Sequence, residues 1–454
     1  MYLFYSFLLT LGVIALLPRF IYDAFRHGKY VAGFRQRLGR IPPVDTNGRS
    51  IIWLHCVSVG EALAARPLAR TVLDRYPSHL LVVSTTTLTG QRVARDAFGD
   101  EAAAVFYFPF DWAWTVRRAL SRMNPSAVLI METELWPNFL RECRRRGVPT
   151  AVINGRLSQR SFQRYKLIRR FARRMVRDLD LAIMQTDADA ERIRAIGLES
   201  SRVLVAGNIK FDLRDEPSED ALAAEFRERF QFGARSHLIV AASTHPPEER
   251  VVLEAFKRLR AAGGYDKLRM IVAPRHPERF EEVASLMETY GISWSRRSAA
   301  PAESDSRSDV VLLDSIGELR AVYPLAAVVF VGGSIARTGG HNIVEPAAAG
   351  ACIVTGAHTH NFEAIVEGFV RAQALVQLPD LSERAASVAL EQAIQKILCD
   401  DKFALAMVEN ARGVLAANRG ATERTMDLLA PILAIRTTAD PSEPDLAKRG
   451  PLSA

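Results

Sequence analysis

Short apolar runs alternate with stretches of helical periodicity along most of the chain, in two series divided by a polar break. The first series is IIWLHCV from Ile51, LLVVSTT from Leu80, AVLIME from Ala127, TAVING from Thr150, LAIMQT from Leu181 and RVLVAG from Arg202. The second is HLIVAAST from His237, LRMIVAP from Leu268, DVVLLD from Asp309, AVVFVGG from Ala327 and ACIVTG from Ala351. Runs that stay apolar at successive positions are buried on both faces, as are parallel strands covered by helices. The pattern predicts an α/β chain of two Rossmann-like, doubly wound halves facing one cleft, with ligands at the carboxyl ends of the strands. The break GNIKFDLRDEPSED places a linker at 207–220, between a first domain over 23–206 and a second over 221–436. Val388 to Ala434 reads as helix throughout, and 437–454, rich in Pro, Asp and Ser, is expected to be a disordered tail.

The run YLFYSFLLTLGVIALL from Tyr2 to Leu17 carries no charge. As a helix it spans about 24 Å, short of a hydrocarbon core of about 30 Å unless it continues through Ile21. No basic segment precedes it and no small-x-small cleavage site follows, so an uncleaved membrane anchor over 1–22 is expected. Arg19, Arg26, Lys29, Arg35, Arg37 and Arg40 come next, which by the positive-inside rule puts the catalytic body in the cytoplasm, on the inner membrane face.

Charge sharpens this picture. Lys and Arg number 59 against 51 Asp and Glu, a net +8 that favours anionic partners. No acidic residue occurs from Cys143 through Arg177, while Arg and Lys recur there at helical spacing. Beside an anchor, such a stretch is expected to meet anionic lipid. No nucleic-acid motif or aromatic platform accompanies it, so nucleic acid is not an expected partner. Cys56, Cys143, Cys352 and Cys399 are widely spaced and form no CxxC pair, so neither a zinc site nor a disulfide framework is suggested and a reducing compartment fits. His358 and His360 have no carboxylate or Cys at ligand spacing, so no metal is expected.

Candidate chemistry collects at strand ends. In HCVSVGEA, Ser58, Gly60 and Glu61 follow the first core strand and open a helix, where a carboxylate serves either as a dipole partner or as a base. METELWPN carries Glu132 and Glu134, one of which is expected to face the cleft, and Lys210 lies at the linker. In the second half, APRHPERF puts Pro274, Arg275 and His276 after a strand, with Arg275 placed either to clamp a phosphate or to sit on the surface. Ile316, Gly317 and Glu318 end another strand, where backbone groups can read a base edge. The stretch AAVVFVGGSIARTGGHNIVEPAAAG reads as strand, glycine turn and helix start. Gly332, Gly333, Gly339 and Gly340 would let backbone amides approach a phosphate, and a helix beginning near Asn342 would aim its free N–H groups at it. Glu345 would take a ribose diol. With His341, Asn342, Pro346 and Gly350, this stretch resembles the nucleotide-sugar site of GT-B glycosyltransferases.

Taken together, the segments resemble the 3-deoxy-D-manno-octulosonate (Kdo) transferases, GT-B enzymes that add Kdo from CMP-Kdo to the lipid A precursor. The likeness is carried by RLGR, VSVGE, METELWPN, NGRLSQRSFQRY, GNIKFD, ASTH, APRHPERF and GGHNIVEPAAAG. It implies a GT-B fold, a bacterial inner-membrane enzyme of lipopolysaccharide core biosynthesis, and inverting transfer without cofactor or metal. The resemblance makes Glu61 the general base, with Glu132 and Lys210 stabilising the transition state. Pro274, Arg275 and His276, Ile316 to Glu318, Gly333, Gly340, His341 and Asn342, Ile343, Val344 and Glu345 then hold the CMP moiety. Ser58, Gly60 and Arg156 fall on the acceptor side. The chain departs from the family pattern at Pro247 and at Gly356–Ala357, which alters loop stiffness more than charge. Two other readings compete: a GT-B transferase using a UDP-sugar on another membrane lipid, and a non-catalytic membrane-tethered protein that binds lipid or nucleotide.

Overall fold

A computed structural model describes residues 1–27, 33–212, 217–232 and 238–434; the side chains of 17–27, 217 and 218 lie outside the description. The expected tail, the middle of the linker, and the side chains of Arg19, Arg26 and Lys29 therefore fall outside the described residues.

Both apolar series form all-parallel sheets. Strands β1 (Ser50–His55), β2 (His79–Thr85), β3 (Ala102–Tyr107), β4 (Ala127–Met131), β5 (Thr150–Gly155), β6 (Leu181–Met184) and β7 (Val203–Val205) lie in the order β3-β2-β1-β4-β5-β6-β7. The second sheet takes β8 (Leu238–Thr244), β9 (Arg269–Pro274), β10 (Trp294–Arg296), β11 (Val310–Leu312), β12 (Val328–Val331), β13 (Cys352–Thr355) and β14 (Val376–Gln377), in the order β10-β11-β9-β8-β12-β13-β14. Burial explains the unbroken hydrophobicity of the strands. Along β1, Ile51 and Trp53 enter one core while Ile52 and Leu54 enter another on the opposite face. Each sheet reverses its winding once, between β1 and β4 in the first and between β8 and β12 in the second. At these points the crossover helices diverge and leave room beyond the strand ends.

The division of the chain differs from the sequence expectation at its C-terminal end. One compact unit comprises Met1–Asp212 together with the chain from Gly420 on, and the other comprises Leu213–Arg419. The helix Ala421–Ala434, expected within the second domain, instead buries Met426, Leu429 and Leu433 against the first sheet's core. Asp212 fixes the point of return. Its carboxylate accepts from the amides of Gly420 at 2.7 Å and Thr422 at 2.6 Å, capping the returning helix. Arg424 adds a hydrogen bond to the Ala206 carbonyl at 2.8 Å. Helical periodicity made 388–434 look continuous, but the break at Arg419–Gly420 sends its last segment home.

The first helix, Tyr2–His27, also differs from a simple anchor. Its Tyr2, Ser6 and Thr10 bond to Asp178, Asn138 and Trp112 of the first unit. Among the described residues, no helix is long and apolar enough to cross a membrane.

Replacing Asp212 by Ala should destabilise the first unit by about 1–2 kcal/mol through loss of a helix cap. Urea unfolding followed by tryptophan fluorescence measures this, since all five tryptophans but Trp294 lie in that unit. An unchanged midpoint would contradict the capping role.

Candidate functional site

Neighbouring strands β1 and β4 deliver their carboxyl ends to the first sheet's reversal point, and both carry carboxylates just beyond. After β1 the chain enters the helix Val59–Arg75 with Ser58 as its N-cap. Ser58 Oγ accepts from the Glu61 amide at 3.3 Å and donates to Glu61 Oε1 at 2.9 Å, while the Val57 amide donates to Oε2 at 2.8 Å. This S-x-x-E arrangement is a capping box displaced by one residue. Glu61 thus fills the dipole-partner role weighed from sequence, and it is only 7% exposed. The same contacts leave a lone pair on each carboxylate oxygen. Gly60 beside it is exposed, and a Cβ there would meet nothing nearer than Ser58 Oγ at 4.0 Å.

Burial pushes the Glu61 carboxyl up to about 7, with the negative charge of Glu132 adding to the effect against the Val57 and Ser58 hydrogen bonds. Glu134 contributes a smaller push in the same direction, and its own carboxyl is raised by burial and by Glu132. Three carboxylates therefore share one electrostatic neighbourhood.

Glu132 occupies the left-handed region at φ 54°, which a non-glycine residue adopts at a cost of about 1–3 kcal/mol. Its amide is held by the Ile153 carbonyl at 3.0 Å, and its Oε1 accepts from Lys210 Nζ at 2.8 Å. Lys210 is positioned through its neighbours. The Lys210 amide donates to Asn208 Oδ1 and the Ile209 amide to Asn154 Oδ1, both at 3.0 Å. Asn154, itself at φ 51°, belongs to the NGRLSQ stretch at the end of β5. Thr133 accepts from the Arg156 amide at 3.1 Å and donates to the Arg156 carbonyl, which brings the acceptor-side candidate to the loop that carries Glu132. The structure thus unites Ser58, Gly60, Glu61, Glu132, Arg156 and Lys210 around one sheet end. Asn154 and Asn208, which hold this arrangement, lie in the NGRLSQRSFQRY and GNIKFD stretches that carry the family resemblance but were not singled out as site residues.

The second sheet gathers the remaining candidates at its own carboxyl edge, with one correction. Gly333, Ser334, Ile335 and Ala336, following β12, direct their amides at Glu248, as does His245, over 2.8 to 3.1 Å. The anion in the glycine turn is a side chain of the protein itself. Gly332 and Gly333 are required for its fit: a Cβ on Gly332 would lie 2.8 Å from Glu248 Oε2, and Gly333 has φ 69°. The Gly340 amide is likewise engaged, by the Gly333 carbonyl at 2.7 Å. The next helix begins at Val344 rather than at Asn342 and runs only to Ala348, with Asn342 Oδ1 taking the Val344 amide at 3.0 Å. Asn342 Nδ2 reaches Glu345 at 3.1 Å. Burial raises the Glu345 carboxyl, partly offset by the Arg320 charge. In the sequence Pro247 stands out here, but Glu248 beside it does not.

Charge for an external anion comes from the loop after β9. Arg275 and His276 are exposed there, and among the described residues no hydrogen bond or ion pair holds the Arg275 guanidinium. His276 packs edge-on against His245, which stacks on His341 with Nε2 atoms 2.9 Å apart. Burial, then the charges of Arg275 and the neighbouring histidines, push His341 down to about 3; burial and then His276 push His245 down to about 4. The stacked pair is therefore neutral at neutral pH, with one Nε2–H donating to the other ring. After β11, Glu318 has both oxygens on Arg297, at 2.9 and 3.0 Å. Its carboxyl stays below the usual range because these bonds outweigh burial. Gly317, at φ 94°, has open space around it and Ile316 is 71% exposed, so this loop offers backbone to a ligand.

Comparison with known proteins identifies the family and the fold. Residues 32–213 match the family model for 3-deoxy-D-manno-octulosonic-acid transferase (kdotransferase). A 3-deoxy-D-manno-octulosonic acid transferase of Haemophilus influenzae is 33% identical over 84% of this chain and 87% of its own length. The enzyme of that description from Bordetella pertussis is 35% identical over 83% and 86%. A putative UDP-N-acetylglucosamine 2-epimerase from Listeria monocytogenes shares the fold at TM-score 0.55, with 14% identity over 86% of this chain and 98% of its own.

Glu248→Ala would leave a cluster of amides around a buried void. Loss of about 3 kcal/mol or more is expected for the second unit, since a hydrogen bond to a charged group is worth roughly 1.5–3 kcal/mol. Denaturant unfolding with a probe in that unit provides the check; a change under about 1 kcal/mol would contradict the account.

Proposed function

The chain belongs to the 3-deoxy-D-manno-octulosonic acid (Kdo) transferase family, and from that premise we propose that it moves Kdo from CMP-Kdo to the lipid A precursor with inversion, at a membrane surface on the cytoplasmic side. The supporting observation is Glu61, a carboxyl raised to about 7 at the reversal point of the first sheet, beside the Glu132–Lys210 pair. A general base works best when its pKa lies near the operating pH.

In this reading Glu61 takes the proton of an acceptor sugar hydroxyl. The freed oxygen forms the new bond to the anomeric carbon of Kdo, and the bond from that carbon to the phosphate oxygen breaks with its electron pair, releasing CMP. Glu132, balanced by Lys210, keeps the Glu61 carboxyl basic. Lys210 supplies positive charge as negative charge moves toward the leaving group. Arg275 meets the CMP phosphate, the backbone at Ile316–Gly317 reads the base, and Glu345 with Asn342 takes the ribose. The glycine turn contributes shape rather than free amides, because Glu248 already occupies it. Exposed Gly60 leaves the acceptor an approach to Glu61 unobstructed by a side chain. Transfer requires the donor carried by the second unit to be presented to Glu61 of the first.

Glu61 acts as a base only when ionised, and its raised pKa means that ionisation is completed as pH rises through about 7. The profile of kcat/KM should therefore rise with unit slope below about pH 7 and level off above it. Glu61→Ala should lower transfer by roughly 10²- to 10⁴-fold while CMP still binds. Full transfer by the variant would remove Glu61 from the mechanism.

A further inference from the structure

The outward face of the first helix is apolar in a way the first unit does not use. Tyr2 is buried, with its hydroxyl on Asp178 at 2.6 Å and its ring 5.8 Å from Phe171. Tyr5 meets the same phenylalanine at 5.8 Å, and Thr10 accepts from Trp112 Nε1 at 2.9 Å. These contacts hold one face of the helix along the body of the protein over at least two turns. The opposite face exposes Leu3, Phe4, Phe7, Leu8, Leu11 and Ile14, at 46% to 86%. A helix entering a bilayer end-on would not keep its first ten residues bound laterally to a polar domain. One lying flat would show this division.

Beside the docked face, Tyr2 forms part of a shallow cavity of about 370 Å³ whose other walls are Arg141, Arg144, Arg145, Arg174 and Asp178. The Arg141 guanidinium lies 4.4 Å from the centre of the Tyr2 ring and that of Arg174 lies 5.8 Å away. Two acids face this cluster. Asp178 is engaged by Tyr2 and stands 3.7 Å from Arg144, and Glu142 reaches Arg145 at 3.4 Å. Four guanidinium groups against two carboxylates leave an excess of two positive charges next to an apolar helix face. A lipid phosphate has the charge and the oxygens to fill such a cavity.

We propose that the helix Tyr2–His27 lies in the plane of an anionic bilayer, its Phe4–Phe7–Leu11 face among the acyl chains, while the arginine cavity beside Tyr2 holds a phospholipid headgroup phosphate. The apolar face supplies burial, the arginines supply headgroup selectivity, and together they orient the first unit on the membrane. The inference concerns placement and stands apart from the chemistry at Glu61.

Cosedimentation of the full chain with phosphatidylcholine vesicles, with and without phosphatidylglycerol, tests it. Tight binding is expected only when the anionic lipid is present. Phe7→Asp should weaken binding to both vesicle types, whereas Arg145→Glu should abolish most of the preference for phosphatidylglycerol, by about tenfold or more. Both positions are exposed, and unchanged thermal midpoints would establish that the variants fold. Transfer to acceptor dispersed in detergent should persist in both, so failure of the docking proposal and failure of the catalytic one are distinguishable. For orientation, fluorophores on Phe4→Cys, Leu11→Cys and Ile14→Cys in a Cys399→Ser background would be quenched by brominated lipids. Similar shallow depths are expected. A depth change of about 15 Å between positions 4 and 14, the rise of a helix along the membrane normal, would overturn the in-plane arrangement. Unaltered lipid preference in Arg145→Glu would overturn the headgroup site.

Discussion

The structure turns on how each parallel sheet satisfies the polar groups left beyond its carboxyl edge. Backbone N–H groups that emerge there are buried too deeply for bulk water to reach freely, and leaving them unpaired would cost about 1–3 kcal/mol each. In both units a glutamate at the start of the helix after a central strand supplies the missing acceptors. Glu61 does this for the turn after β1 and Glu248 for the turn after β12. Burying a carboxylate for this purpose makes its ionisation sensitive to every nearby charge. In the first unit burial, with the charges of Glu132 and Glu134 adding to it, raises the Glu61 carboxyl to about 7, and the proposed mechanism uses this structural device as its base. In the second unit burial raises the Glu248 carboxyl too, against the five backbone donors that enclose it, and these donors make it a scaffold. One solution to a backbone problem thus gives the proposed base in one unit and a rigid platform in the other.

The platform determines how an anionic donor can be met. Because Glu248 takes the turn amides, the proposed phosphate recognition falls to Arg275 and to the neutral histidine stack beside it. A neutral stack can both donate and accept a hydrogen bond without adding charge. The loop at Ile316–Gly317, proposed to read the base, is open while Glu318 is not: Arg297 clamps the carboxylate and leaves the backbone accessible.

The two sheets were legible in the sequence because strands covered on both faces cannot carry alternating polarity; all eleven runs read as strands became strands, whereas β3, β10 and β14, which are only partly buried, were not read. The strand-end positions of Glu61, Glu132, Arg275 and Glu345 were legible too, since a βα unit fixes where its carboxyl edge falls. Side-chain partnerships across the fold were not. Glu248 drew no notice in the sequence, and only the folded path of β12 brings the glycine turn to it from 85 residues away. Asn154 and Asn208 are short polar residues among many, and their service to Lys210 depends on β5 and the turn after β7 being neighbours. The return of the last helix at Gly420 was hidden because both sides of the break are helical. The first helix read as an anchor from hydropathy alone, which cannot register that Tyr2, Ser6 and Thr10 lie along one docked face.

The central claim is that the environment of Glu61, and not the family to which the chain belongs, makes this carboxyl a base near neutral pH. A direct titration tests it: infrared or carbon-13 spectra of glutamate-labelled protein across the acid-to-neutral range, with Glu61→Gln subtracted to isolate one carboxyl. The account predicts a transition near pH 7 that moves downward when Glu132 is replaced by Gln. A transition at the ordinary glutamate value, unmoved by that replacement, would contradict it.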